Sequence, residues 1–85
     1  MNEKELIALI TSSIDQNVAA EDRAAFADSI KVRLEGMIFL SDIDIEKKYG
    51  DLLHQLLDKV TEADETEGIN PHLIAAGVGH AYLNR

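Results

Sequence analysis

AEDRAAFADSIKVRLEGMIF, residues 20–39, is the stretch whose reading decides how this chain folds. On a helix, Phe26, Ile30, Leu34, Met37 and Ile38 share one stripe at the i, i+4, i+8, i+11, i+12 spacing of a core-facing surface. A second line steps by four and three residues through Ala25, Ser29, Val32, Gly36 and Phe39. Val32 and Phe39 point about 120–160° away from the first stripe at 100° per residue. Gly36 offers a stop, but Met37 and Ile38 continue the first stripe in phase, so the spacing predicts one helix over 20–39. A hairpin through VRLEG and MIFLSDIDI is the alternative, and a lone hairpin among helices has little stability of its own. Two apolar stripes on one helix require burial on two sides, by the chain itself or by a partner.

Working outward toward the C-terminus, Ser41 reads as an N-cap, with Leu40 and Ile45 spaced as a hydrophobic staple and Asp42, Asp44 and Glu46 in the first turn. Ile45, Tyr49, Leu52, Leu53, Leu56, Leu57 and Val60 then fall on one arc of about 140°. This predicts a helix over 42–61, followed by TEADETEG as a solvated acidic loop. Asn70 and Pro71 mark the cap and first residue of a last helix over 71–83, with Ile69 and Ile74 as another staple. That helix has no Asp, Glu, Lys or Arg between Gly68 and Asn84. Ala75, Ala76, Gly77, Gly79 and Ala81 make it small on several sides, the pattern of an enclosed or closely packed helix.

Toward the N-terminus, Asn2 and Glu5 form a capping-box pair ahead of Leu6, Ile10 and Ile14, which predicts a helix over 3–15 closed by the Asp-Gln-Asn turn at 15–17. The pattern as a whole predicts an all-α fold, a small four-helix domain spanning 1–85. Its main core is expected from the first three helices. The long 42–61 helix is expected at the centre.

The bulk composition limits the function classes. The 85 residues carry 16 acids against 8 bases, a net charge of −8, and 46 % are apolar. A chain of this size buries only roughly 60–65 % of its unfolded surface. The bases are scattered, which argues against direct nucleic-acid or anionic-lipid binding. There is no cysteine, and hence no disulfide framework or thiolate site. The first residues, MNEKELIALITSSI, lack a basic signal-peptide region, and no apolar run approaches the ~20 residues of a membrane span. A cytoplasmic location is the expectation.

No motif names a reaction. His72 and His80 stand eight residues apart and His54 lies on another helix, so none of the three has the i, i+4 spacing of a helical metal site. Asp42, Asp44 and Glu46 resemble the opening of a calcium loop, but Lys47 and Leu53 occupy the positions that need glycine and a bidentate acid. Gly77-Val78-Gly79 lacks the third glycine of a phosphate loop, since Tyr82 sits there. The serines lie in no nucleophile-elbow context. No catalytic residue, metal or cofactor is assigned.

The expected function is therefore non-catalytic: an acidic protein-interaction or regulatory module that acts on a protein partner or on itself as a homodimer. The expected interface is the second stripe, Ala25, Ser29, Val32, Gly36 and Phe39, together with Val78 and Tyr82 of the last helix. Cover of that stripe by the last helix of the same chain is the competing account. The alternative function is an acidic inhibitor or DNA mimic that blocks a nucleic-acid or cationic site. The placement of the densest acidic run, Glu62, Asp64, Glu65 and Glu67, in a loop counts against that alternative.

Overall fold

Four α-helices follow one another in the computed structural model, which describes residues 1–83. α1 spans Glu3–Asn17, α2 Arg23–Leu34, α3 Ile43–Glu67 and α4 Pro71–Tyr82. Short 3₁₀ turns, Ala20–Asp22 and Ile38–Leu40, precede and follow α2. No strand occurs among the described residues, so the hairpin alternative is not realised.

The local start signals operate as the sequence implies. The Glu5 N–H donates to Asn2 Oδ1 at 2.8 Å and the Asn2 N–H donates to Glu5 Oε1 at 3.2 Å, a reciprocal capping box. Asn70 Oδ1 accepts from the His72 N–H at 2.9 Å, with Pro71 at the position where a missing N–H is harmless. α1 runs two residues past its expected end, through the Asp-Gln-Asn segment expected as a turn, and buries Leu6, Ile10 and Ile14.

α2 and both ends of α3 also differ from expectation. α2 is shorter than 20–39. Gly36 takes φ +78, and the Met37 N–H donates to Val32 O at 2.7 Å while the Gly36 N–H donates to Arg33 O at 3.2 Å. This 6→1 and 5→2 pair is a Schellman ending, which satisfies carbonyls that a helix end leaves orphaned. The cap of α3 is Asp42, not Ser41: Asp42 Oδ1 accepts from the N–H groups of Asp44 and Ile45, while Ser41 Oγ donates to Glu46 Oε1 at 3.1 Å. The expected acidic loop is the last part of α3. Glu and Ala sustain the helix through Glu67, Ala63 is buried, and Gly68 at φ +68 ends it.

Packing corrects the expected division of the core. Phe26, Ala27 and Ile30 of α2, Leu53, Leu56 and Val60 of α3, and Leu6, Ile10 and Ile14 of α1 share one cluster with Ile74 and Val78 of α4. α4 packs chiefly on α2 and α1, so it is part of the core rather than an addition to it. Gly77 makes that possible, because a Cβ there would lie 2.3 Å from Ile7 Cδ1 of α1. Phe26 meets the Tyr49 ring edge-on at 5.8 Å between centroids, the arrangement the ring quadrupoles favour.

Candidate interaction surface

The connection from α2 to α3 leaves large apolar side chains in solvent. The left-handed turn at Gly36 breaks the helical phase, so the residues after it no longer follow the buried stripe. Met37 stays half-buried, whereas Ile38 is 59 % exposed, Phe39 82 %, Leu40 54 % and Ile43 66 %. Four large apolar residues within a six-residue stretch are thus more than half in water, and contiguous apolar patches of ~300–600 Å² on a monomer are often functional.

The turn is tied at both flanks. The Leu40 N–H donates to Met37 O at 2.9 Å and the Ser41 N–H to Ile38 O at 3.0 Å. Below it the Arg33 guanidinium pairs with Glu46, which also accepts the Ser41 hydroxyl, so the end of α2 is joined to the first turn of α3. The apolar side chains therefore stand on hydrogen-bonded backbone. Asp42 and Asp44 lie exposed beside them, and no ion pair engages either among the described residues.

The residues expected to form the interface are not brought together on one free face. Ser29 is 1 % exposed, Val32 5 % and Val78 fully buried. Ala25 and Tyr82 are half-buried. The Tyr82 hydroxyl lies 2.7 Å from Asp15 Oδ1 and 2.9 Å from Thr11 O, which ties α4 to α1. Gly36 is an exposed helix stop. The second stripe is thus covered within the chain, because the charge-free α4 lies on α2. Only Phe39 of the expected set presents a large apolar surface. By its spacing Ile38 belongs to the first stripe and Leu40 to a staple with Ile45, and Ile43 falls only in the segment of the hairpin alternative. The signal for them is the apolar excess of MIFLSDI after a glycine that can end the helix, more than one shortened helix can bury.

Other polar clusters serve the fold. Tyr49 Oη donates to Asp22 Oδ2 at 2.7 Å and accepts the Ala19 N–H at 3.2 Å, and Lys48 Nζ lies 2.8 Å from the same carboxylate. The hydrogen bonds from Lys48 and then Tyr49 hold the Asp22 carboxyl below its ordinary value, and the Asp22 carboxylate raises Lys48. This cluster fixes the α1–α2 corner against the point where α3 kinks, at Tyr49 with φ −128 and ψ 24. A cleft of about 240 Å³ between the start of α1 and the end of α3 holds the Met1 amine 2.8 Å from Glu67. Its lining includes no histidine, serine or tyrosine. His54, His72 and His80 are all exposed, and no group of three or more His, Cys, Asp or Glu among the described residues could hold a metal ion. No helix among the described residues is long and apolar enough to cross a membrane.

No family model matches the chain, and no curated protein or solved structure matches it either.

Proposed function

We propose that the protein is a non-catalytic interaction module that docks through the α2–α3 turn. The observation that carries this reading is the exposure of Ile38, Phe39, Leu40 and Ile43 together on ordered backbone. Water contact on these four apolar side chains is unfavourable, and burial against a partner relieves it. The covered stripe of α2 has no part in this reading. The test is the size of the native assembly. In gel filtration of host extract, the parent chain should migrate above the position of a single chain. Phe39→Asp should migrate as a single chain while its thermal midpoint is unchanged, since Phe39 supports little of the core. A parent that migrates alone, or a Phe39→Asp variant that stays in the larger assembly, refutes the reading.

One observation favours a second reading, an acidic inhibitor that imitates a nucleic acid. Glu62, Asp64, Glu65 and Glu67 stand on α3 rather than in a loop, all exposed. Asp58, Glu62 and Glu65 fall close to one line along it, with axial steps of about 6 and 4.5 Å. Rigid carboxylates at such intervals are what a phosphate mimic needs. Competition against duplex DNA for a DNA-binding target, lost on Glu62→Gln with Glu65→Gln and steeply weakened by salt, would support it over docking by the turn.

A further inference from the structure

We infer that the partner of the α2–α3 turn is a protein surface with an apolar groove rimmed by Lys and Arg, and not a second copy of this chain; the inference rests on the interaction reading above. Shape is the first ground. Ile38, Phe39 and Leu40 are consecutive on one 3₁₀ turn with Phe39 the most exposed, so the surface is a ridge. A ridge is matched by a groove, which can also wrap its polar flanks.

Charge is the second ground. Lys31 and Arg33, the bases nearest the turn on α2, are engaged by Glu35, at 3.3 Å, and by Glu46. Asp42 and Asp44 beside the ridge are exposed and carry no ion pair among the described residues; of the exposed bases that follow, Lys48 is engaged by Asp22, which leaves Lys47 to face them. A second copy would bring the same two carboxylates and another net charge of −8 to the contact. Like charges facing across an interface suppress that pairing, and a basic rim favours its own. Anionic lipid is disfavoured by the same carboxylates.

The experiment places the photo-cross-linker p-benzoylphenylalanine at position 39 of the full chain in its host, and sequences the cross-linked peptides. The expected adduct is to an apolar segment of another protein flanked by Lys or Arg. That protein, purified, should bind the parent chain. Its affinity should fall at least about tenfold with Phe39→Ala, as loss of a buried aromatic anchor does. It should fall several-fold with Asp42→Asn and Asp44→Asn together, and should weaken as salt rises. Because Asp42 caps α3, Asp44→Asn alone is measured as well, and its effect should have the same sign. An adduct to a second copy of the chain, or to a segment without basic flanks, overturns the inference about the partner and leaves the interaction reading standing. An adduct to lipid, with the parent chain co-floating on phosphatidylcholine vesicles, overturns the protein-groove inference in favour of a membrane. No adduct, or an affinity indifferent to Phe39→Ala, overturns both.

Discussion

Gly77→Ala and Gly79→Ala should move stability in different directions, although the two glycines sit two residues apart on α4. A Cβ at position 77 would lie 2.3 Å from Ile7 Cδ1 and 2.9 Å from Ile7 Cγ1. Non-bonded carbons settle near 3.5–4.0 Å, so Ile7 must shift against its neighbours. At position 79 the nearest atom is Lys31 Cδ at 3.3 Å, on a long side chain that is 36 % exposed and can give. Intrinsic propensity favours Ala over Gly by ~0.8–1.0 kcal/mol at a helix-interior position. Gly79→Ala should retain most of that, a gain of about 0.5–1 kcal/mol. Gly77→Ala adds an overpacking cost of about 1–3 kcal/mol, so it ends about 0–2 kcal/mol below the parent. The two variants should differ by about 1–3 kcal/mol, and each kcal/mol is worth ~4–8 °C in a domain of this size. Ile7→Val removes the closest atom and should restore much of the loss in the double variant, a favourable coupling of about 1 kcal/mol. Thermal and urea unfolding followed by circular dichroism read all five chains: the parent, the two alanine variants, Ile7→Val and its double variant with Gly77→Ala. Equal midpoints for the two alanine variants, or a coupling near zero, would refute the close approach of α4 to α1.

Three further outcomes follow from the same contacts. Val32→Glu places a carboxylate where 5 % of the residue is exposed, and should cost at least about 3 kcal/mol, enough to unfold much of a marginal domain at room temperature; a folded variant by circular dichroism would return the stripe of α2 to the surface. Gly36→Ala forces φ +78 on a residue with a Cβ, so it should lower stability by about 1–2 kcal/mol in urea unfolding despite the open space around it. The lowered Asp22 pKa contributes stability that is present above its ordinary value of 3.8 and lost as pH falls through the lower native value. Parent and Asp22→Asn should therefore differ in midpoint near neutral pH and converge in acid, and a difference that persists to the lowest pH at which the chain folds would remove the Lys48–Tyr49 cluster as its source.

Features that depend on neighbours within about one or two turns are legible in the amino-acid order alone. Asn2 with Glu5, and Asn70 with Pro71, mark helix starts because the groups they satisfy are three or fewer residues away. Leu6, Ile10 and Ile14, and Ile45, Leu53, Leu56 and Val60, declare their buried faces through helical periodicity alone. The all-α class and the four-helix order follow from these. Near-balanced local choices were not legible. Phase argued that Met37 and Ile38 continue α2, and the Schellman turn at Gly36 prevailed. The acids of residues 62–67 oppose the helix dipole and read as a loop, but Ala63 packs into the core and Gly68 is where the chain can turn. Tertiary structure alone decided what covers the second stripe. Ser29 and Val32 carry the same pattern whether α4 or another chain lies on them, because periodicity reports that a face is buried and not by what. Packing of α4 through Gly77 onto α1, and along α2, hides that stripe. Ile38, Phe39, Leu40 and Ile43 stay in water because no helix among the described residues lies over them, while Met1, Leu73 and Leu83 are exposed elsewhere.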